Sequence, residues 1–414
     1  MKTVVVVVTL CAGLSVFGDT YPIAVDDIRI RDPYIVMDDG IYYLYESKPW
    51  NGGREVNVFE SRDLRHWSEK KSVMTLPENV KNTAVWAPEV HRYRGRWYLF
   101  VTVSLKPGEW EISPMPTMGY RTGWLQPRGV WVCVSDSPRG PFTPVREESV
   151  TPREWMCLDG TFYEENGKPF MVFCHEWCQV GDGRMMLAEL SEDLSMIVGV
   201  PRELFRASSV GKDYFVTDGP FLYRSARTGE LFMTWSNKGD DGYAVYLKKS
   251  LTGSVVGPWQ NAAKLFSTDG GHGMIFRDTS GQLRFALHQP NSSPNERMRL
   301  FSLEERDGGL SLIQEPDKNT SLEIVDPLIG TEGMGSEYGG MMPMTGVPFG
   351  SMHLVPVTRT NRVSATSFNA LDRQLLGFIL TRQPAIWSSV GTDPAKCLSI
   401  VEYAIMSRHA GWGG

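Results

Sequence analysis

The chain contains five glycine turns, and one ionisable side chain lies six to eleven residues before each of them. These side chains are Asp32, Glu89, Asp159, Asp218 and His272. Carboxylates that share a cleft push one another's pKa values apart, so that one can hold a proton while another accepts one. A single acid near a turn usually does no more than face solvent. Five in corresponding places predict one site for acid and base chemistry.

The glycine turns belong to a repeat that organises residues 25–312. Glycines at positions 40, 95, 167, 229 and 281 are each followed by alternating aromatic and aliphatic residues, as in Asp39-Gly40-Ile41-Tyr42-Tyr43-Leu44-Tyr45. Such segments predict β-hairpins. Spacings of 52 to 72 residues are typical of propeller blades. We therefore predict an all-β chain with a five-bladed β-propeller, in which the first strand of each blade carries the ionisable residue and lines the central axis.

The composition agrees with this fold and excludes some functions. The chain has 46 aromatic residues, 41 glycines and 26 prolines in 414 residues, which favours short strands and tight turns. Its formal net charge is −6. A nucleic-acid or anionic-membrane binder needs a basic face, so neither partner is expected.

The N-terminus predicts export. Lys2 is followed by an apolar run, 3–17, that ends at Gly18, which is typical of a signal peptide at 1–18. A buried N-terminal strand is the alternative. Cys11 could also indicate a lipoprotein, but Leu10 occupies the position before it, where a small residue would be expected. We expect a secreted or periplasmic protein without membrane attachment after cleavage.

The remaining cysteines do not suggest a disulfide framework. Five cysteines remain after cleavage, an odd number without regular spacing. Cys174 and Cys178 could pair or bind a metal, but no second cysteine pair accompanies them. Packing is therefore the favoured interpretation of both.

An ordered set of motifs resembles the glycoside hydrolases of family 43, which are five-bladed propellers acting on plant-type pentose glycans. The resemblance covers about residues 25–312. Its motifs are Arg31-Asp32-Pro33-Tyr34, Trp86-Ala87-Pro88-Glu89-Val90, Leu158-Asp159-Gly160-Thr161-Phe162, Cys174-His175-Glu176-Trp177, Thr217-Asp218-Gly219-Pro220-Phe221 and Gly270-Gly271-His272-Gly273-Met274.

The resemblance implies a role for each of three acids. Asp32 would be the general base that activates water, Asp218 the general acid, and Asp159 the residue that tunes and orients the acid. Most of the family has a glutamate where this chain has Asp218, one methylene shorter, and Glu176 is the alternative donor. An inverting glycosidase holds its acid and base roughly 6.5–9.5 Å apart to admit a water, and inversion is the expected outcome.

Six residues near these motifs are expected to bind substrate. They are Glu89, Trp86, Glu176, Trp177, Phe221 and His272. By the resemblance, His272 could also help to hold a structural calcium in the central channel through water molecules, although no cofactor is required. Aromatic side chains also fill the space between blades, and Glu89 could instead hold a turn. The proline-rich insertion 106–127 either shapes the pocket or covers surface.

The C-terminal part departs from the repeat. After a linker at 313–324, residues 325–387 resemble the beginning of the N-terminal β-sandwich of the family 92 α-mannosidases, and 388–414 form an unassigned tail. This layout would arise from a truncated or frame-shifted fusion of two enzymes. Because the later domain of that family is missing, no active-site residue is carried over, and a partial sandwich is expected to close its core poorly. A small independent cap is the alternative.

The sequence therefore predicts a secreted glycoside hydrolase that removes arabinofuranosyl or xylosyl units from plant polysaccharide. Three alternatives remain open at this point. The chain could be a carbohydrate-binding propeller without turnover, a hydrolase for another furanosyl sugar such as galactofuranose, or a phosphorylase or transferase on a similar scaffold. The last would need a basic phosphate site, for which the sequence offers no clear candidate.

Overall fold

A computed structural model of the chain describes residues 21–47, 53–116, 123–211, 213–306 and 308–313, together with 353–357, 373 and 377–381. The chain divides into two units, Met1–Gln314 and Glu315–Gly414. The predicted signal peptide lies outside the described residues. Within the described part, no helix has the length and apolar character needed to cross a bilayer.

Five antiparallel sheets form the first unit. The first contains β1 (Ile23–Ala24), β2 (Tyr34–Asp38), β3 (Ile41–Ser47), β4 (Glu55–Ser61), β5 (His66–Trp67) and β6 (Lys71–Thr75). The second contains β7 (Asn82–Tyr93), β8 (Arg96–Leu105), β9 (Arg128–Ser135) and β10 (Thr143–Pro144). The third contains β11 (Cys157–Glu165), β12 (Lys168–His175), β13 (Arg184–Leu190) and β14 (Ile197–Arg206), with the short helix α1 (Trp177–Val180) after β12.

The last two sheets repeat the four-stranded order. The fourth contains β15 (Asp218–Arg224), β16 (Leu231–Gly239), β17 (Gly242–Ser250) and β18 (Trp259–Phe266). The fifth contains β19 (Gly271–Arg277), β20 (Leu283–Gln289), β21 (Arg297–Arg306) and β22 (Gly309–Ile313). Two 3₁₀ turns, Val25–Asp27 and Ala207–Val210, complete the described elements of this unit.

The five sheets are the blades of a propeller. Strands β2, β7, β11, β15 and β19 contact one another around a closed ring, including β19 against β2. The N-terminal segment helps to close this ring, because the buried Glu296 carboxylate of blade five accepts hydrogen bonds from Arg29 and Arg31, both at 3.3 Å. The predicted five-bladed propeller is confirmed.

The glycine turns are the first hairpin of each blade. Gly40, Gly95, Gly167, Gly229 and Gly281 all have φ between 73° and 82°. This left-handed conformation costs a glycine little because it has no Cβ. Each turn joins the innermost strand to the second strand, so the residues that precede it lie at the central channel.

Apolar side chains fill the spaces between blades. Separate clusters of buried residues lie between blades two and three, three and four, and four and five, and a further cluster is centred on blades one and two. Trp67 and Trp235 are fully buried within them. Cys174 and Cys178 are free thiols, and Cys174 is buried with its Sγ 4.0 Å from Met185 Sδ. This agrees with a packing role for Cys174.

The second unit contributes one described ladder. Strand β23 (His353–Val357) pairs antiparallel with β24 (Gly377–Thr381), with Val355 opposite Ile379. The linker, most of the predicted sandwich fragment and the tail lie outside the described residues. Whether the fragment can close a core therefore stays a prediction.

Candidate active site

Every blade has one residue with a left-handed backbone on its innermost strand or just before it: four lie where the pairing register shifts, and Asp32 lies two residues before β2. These residues are Asp32 (φ 49°), Ala87 (φ 44°), Asp159 (φ 53°), Gly219 (φ 48°) and His272 (φ 51°). Side chains rarely adopt this conformation, and backbone strain of this kind collects at functional sites. Five repetitions in corresponding places identify this level of the channel as the site.

The left-handed position corrects one sequence expectation. The sequence predicts that all five ionisable residues share one structural position, but only Asp32, Asp159 and His272 do. Asp218 comes one residue before Gly219, and Glu89 two residues after Ala87. The difference arises because the bulge, and not the distance to the glycine turn, sets where a side chain points into the channel.

Neighbouring blades hold the three left-handed polar residues in place. Their backbone N–H groups donate to side chains on the second strand of the preceding blade. Asp32 donates to His288 Nδ1 (3.2 Å), Asp159 to Thr102 Oγ1 (2.8 Å) and His272 to Ser236 Oγ (2.8 Å). These contacts join β20 to blade one, β8 to blade three and β16 to blade five, so the site forms only when the ring closes.

Asp32 is held as a carboxylate. Its Oδ1 lies 3.2 Å from His272 Nδ1. Burial raises the pKa of Asp32, but the charge and hydrogen bond of His272, with Arg31 nearby, outweigh burial and bring the pKa below its usual range. Burial lowers the pKa of His288 to about 4, so this neutral ring accepts the Asp32 N–H at Nδ1. An ionised carboxylate with a fixed orientation is suited to accept a proton.

His272 is the positive charge between two acids. Its Nδ1 also lies 3.7 Å from Asp159 Oδ2. Burial lowers the pKa of this imidazole, but the charges of Asp32 and Asp159 outweigh it and raise the pKa to about 10. His272 is therefore protonated near neutral pH and compensates charge in a buried site.

Asp218 has the opposite tendency to Asp32. Burial and the charge of Asp159 raise the pKa of Asp218 well above its ordinary value. Burial and the charge of Asp32 raise the pKa of Asp159 to about 6, against the lowering effects of His272 and of the Gly219 N–H that donates to Asp159 Oδ2 at 3.0 Å. Near neutral pH the proton of this coupled pair therefore rests on Asp218. The three acids meet at one mouth, as the enzymatic interpretation requires.

Gly219 permits this approach. A Cβ at this position would lie 2.7 Å from the ring of His272, which is closer than real carbon contacts. Its left-handed φ of 48° is also easiest for glycine. Asp218, Gly219 and His272 can therefore pack together only because residue 219 has no side chain.

Glu89 lies in the channel but faces another side chain. It is 3% exposed, and its Oε2 lies 3.0 Å from His91 Nε2. His91 in turn lies 3.3 Å from the hydroxyl of Tyr34. These contacts favour the structural alternative for Glu89 over a direct hydrogen bond to sugar.

Glu176 is engaged in a buried ion pair. Its carboxylate accepts a hydrogen bond from Arg128, whose guanidinium carbon lies 4.0 Å from the ring centre of Trp86. Arg128 also donates to Ser104 Oγ at 2.8 Å. The hydrogen bond from Arg128 holds the Glu176 carboxylate toward the guanidinium. The geometry therefore favours Asp218 over Glu176 as proton donor and leaves Trp86 rigid on top of Arg128.

Trp177 and Phe221 occupy different environments. Trp177 begins α1 and is half-buried, with its ring 4.7 Å from that of Phe215. Phe221 lies on β15 with its ring 6.2 Å from that of Tyr34, and it packs against two of the buried apolar clusters. Of the two, Trp177 has the more typical position for stacking against a sugar at the rim.

Helix α1 also anchors the proline-rich insertion. Met115 N–H donates to Gln179 O at 2.8 Å, and Gly123 N–H donates to Cys178 O at 2.9 Å. Gln179 Nε2 donates to Ser113 O at 2.8 Å. The insertion is therefore attached beside Trp177, which supports a role in shaping the pocket; residues 117–122 lie outside the described part.

The described protein groups do not form a calcium donor set. Among them, no three His, Cys, Asp or Glu side chains are arranged to hold a metal ion. Calcium takes six to eight oxygen ligands, and His272 turns Nδ1 toward the carboxylates of Asp32 and Asp159. The predicted water-held calcium stays a prediction, and no chemical step below depends on it.

The sequence reasoning missed two side chains of the site, Tyr243 and His288. Tyr243 on β17 donates from its hydroxyl to Asp218 Oδ2 at 2.9 Å, and His288 on β20 accepts the Asp32 N–H. Tyr243 lies on the third strand of blade four and His288 on the second strand of blade five, where most neighbouring side chains pack in the apolar core. A polar residue after the apolar run Phe285-Ala286-Leu287 is the one feature that could have drawn attention to His288.

Comparison with known proteins decides the family. The model of the glycosyl hydrolases family 43 matches residues 21–308. The chain belongs to this family. The match spans all five blades, and every acid of the site lies within it. The model of the glycosyl hydrolase family 92 N-terminal domain matches residues 324–396, which confirms the second resemblance.

The solved and curated relatives of this family 43 chain include enzymes named for arabinose-containing glycans and others named for xylan. The crystal structure of an endo-arabinase from Bacteroides thetaiotaomicron is 35% identical, with a TM-score of 0.59, and the similarity covers 70% of this chain and 99% of that one. Alpha-L-arabinofuranosidase 43 of Humicola insolens is 24% identical over 235 residues, 52% of this chain and 42% of that enzyme.

A relative from Streptomyces chartreusis is described as extracellular. This extracellular exo-alpha-(1->5)-L-arabinofuranosidase is 25% identical over 221 residues, 51% of this chain and 60% of its own length. The chain thus spans about half the length of the curated relatives it matches.

Proposed function

We propose that this family 43 chain is a secreted hydrolase that removes arabinofuranosyl units from plant polysaccharide with inversion of configuration. The endo-arabinase that is 35% identical and the two arabinofuranosidases support arabinose as the released sugar, whereas the xylan-acting structures are about 20% identical. The apolar run at 3–17 and the extracellular Streptomyces enzyme support export. N-terminal sequencing of protein recovered from the culture medium tests the cleavage after Gly18.

One observation carries the proposal. Two carboxyl groups at one mouth have pKa values displaced in opposite directions, Asp32 downward and Asp218 upward. Pairs of acids separated in this way divide into a base and an acid. His272 keeps Asp32 ionised, while burial and Asp159 keep Asp218 protonated.

The reaction uses each acid once. Asp32 takes a proton from a water as its oxygen bonds to the anomeric carbon, and Asp218 gives its proton to the glycosidic oxygen as the old carbon–oxygen bond breaks. Water therefore adds on the face opposite the leaving group, which inverts the anomeric carbon. Exchange with solvent then returns Asp32 and Asp218 to their starting protonation states.

Product stereochemistry tests the proposal. Arabinan and the nitrophenyl glycosides of α-L-arabinofuranose, β-D-xylose and β-D-galactofuranose are incubated with the protein, and the first product anomer is read by NMR. We expect release of β-L-arabinofuranose from the arabinose substrates. Retained configuration contradicts the single displacement, preferential release of another sugar contradicts the substrate, and binding without release supports the non-hydrolytic alternative.

Asp159→Asn is expected to move the alkaline limb of the pH profile to lower pH. The negative charge of Asp159 raises the pKa of Asp218, so its removal lets Asp218 lose its proton sooner. A nearby charge shifts a pKa by about one unit or more, and the alkaline limb of kcat/KM on arabinan should move by that amount. The acidic limb, which reports Asp32, should stay in place.

A charge on the same strand provides the control for this measurement. Glu164 lies on β11 with Asp159 but is exposed. Glu164→Gln removes one charge from the blade and should leave both limbs unchanged. An alkaline limb that stays fixed or moves upward in Asp159→Asn would show that Asp159 does not set the ionisation of Asp218.

A further inference from the structure

Tyr243 contacts the proposed acid from outside the family 43 motifs. It is the second residue of β17 and is 7% exposed. Its hydroxyl donates to Asp218 Oδ2 at 2.9 Å. A buried phenol aimed at the carboxyl group that must deliver a proton is placed to influence that delivery.

The ring of Tyr243 is held on two sides. Its centroid lies 5.8 Å from that of His288, with 21° between the ring planes. The ring also lies against Gly271 of β19, where a Cβ would be 2.3 Å from Tyr243 Cε1. The ring can reach across to Asp218 because residue 271 has no side chain.

The backbone of Tyr243 is fixed as well. Its N–H donates to Asp269 Oδ1 at 3.2 Å, and its carbonyl accepts the Gly270 N–H at 3.0 Å. Both partners precede β19, the strand that carries His272. Since the ring and both main-chain groups are constrained, the hydroxyl keeps its place beside Asp218.

This contact makes the two carboxyl oxygens of Asp218 unequal, because only Oδ2 accepts the hydrogen bond from Tyr243. An oxygen that accepts a hydrogen bond from a phenol is poorly placed to hold the acidic proton, so the proton is left to Oδ1. The same phenol stabilises the carboxylate that remains once the proton has gone. Asp218 is one methylene shorter than glutamate, and a side chain with less reach gains more from a proton on a defined oxygen.

We propose that Tyr243 is a positioning residue that keeps the transferable proton of Asp218 on Oδ1. This inference deepens the proposed function and rests on it. The other ionisable groups near Asp218 are Asp32, Asp159 on β11, Cys174 on β12, Cys178 in α1 and His272 on β19. Among the described residues, Tyr243 is the side chain that donates a hydrogen bond to the Asp218 carboxyl group.

Leaving-group dependence tests this role, because only a poor leaving group needs the proton. Tyr243→Phe keeps the ring and removes the hydroxyl. On methyl α-L-arabinofuranoside, kcat should fall about 10- to 100-fold, the range for losing one hydrogen bond to a charged group. On the nitrophenyl arabinofuranoside it should fall less than about threefold, and KM should stay constant on both.

Tyr246→Phe is the matched control. Tyr246 lies on the same strand and is 5% exposed, but its hydroxyl donates to Lys238 O at 3.0 Å. This variant should leave the ratio of the two rates unchanged. Equal losses on both substrates in Tyr243→Phe would show a merely structural role and overturn the inference, as would no loss on either.

A double-mutant cycle adds a second readout. In Asp218→Asn there is no proton to position, so adding Tyr243→Phe should change the methyl glycoside rate less than about threefold. A further loss as large as in the wild-type background would overturn the inference. Wild-type protein that releases no sugar from any substrate would instead refute the proposed function, and the Tyr243 role with it.

Discussion

Asp32→Asn should reduce hydrolysis about 10³-fold or more on every substrate, whatever its leaving group. All substrates need a water activated at the anomeric carbon, and a positioned base contributes typically 10²–10⁴-fold. Asparagine preserves the shape of the side chain and tolerates the left-handed backbone of residue 32 (φ 49°). Sugar binding should persist, measured by calorimetry with arabino-oligosaccharides beside initial rates.

The control for Asp32→Asn is an acid of the propeller surface. Asp136 pairs with Arg96, and its side chain is 87% exposed. Asp136→Asn should keep both rate and affinity. If Asp32→Asn retained more than about a tenth of the activity while folding normally, Asp32 would not be the base.

Asp218→Asn should separate substrates by leaving group. On arabinan, whose sugar alcohol leaves poorly, the rate should fall about 10²–10⁴-fold because no proton is delivered. On the nitrophenyl arabinofuranoside the loss should stay below about tenfold, since nitrophenolate leaves without protonation. Initial rates on the two substrates, taken at the same pH, give the comparison.

Glu176→Gln discriminates between the two candidate donors. Its partner Arg128 is buried, and breaking a buried ion pair destabilises a fold. The variant should therefore lower thermal stability and affect both substrates equally. Selective loss on arabinan in Glu176→Gln, with normal selectivity in Asp218→Asn, would reverse the assignment.

The short side chain of Asp218 is accompanied by close packing around it. Asp218 precedes Gly219, whose lack of a side chain lets His272 approach, and Tyr243 reaches the carboxyl group over Gly271. Two close approaches at glycines thus surround the position where most of the family has a glutamate. The chain keeps the acid at the mouth by packing its surroundings closer.

Two glycines of this chain influence the site only through their neighbours. Gly219 and Gly271 make no chemical contribution of their own, yet the first admits the charge of His272 and the second admits the hydroxyl of Tyr243. Each sets which groups the carboxyl of Asp218 can meet. Both glycines are therefore expected to act by allowing short distances between Asp218 and the groups around it.

Local sequence determined the blades and the identity of the acids. Alternating apolar residues after a glycine define a hairpin with one buried face, and that pattern depends only on neighbours a few residues apart. The position before such a hairpin predicted five ionisable residues at the channel, and the resemblance to family 43 then singled out Asp32, Asp159 and Asp218 among them. The five-bladed count follows directly from repeating the pattern.

Only the tertiary structure showed which groups surround those acids. The His288 ring that fixes Asp32 lies 256 positions away in the chain, and Tyr243 reaches Asp218 from an outer strand. The ion pair that disfavours Glu176 as the proposed donor is formed with Arg128 of another blade. Closing the ring brings such distant groups within hydrogen-bonding distance and buries them. Burial and their mutual charges then displace the pKa values of Asp32 and Asp218 in opposite directions.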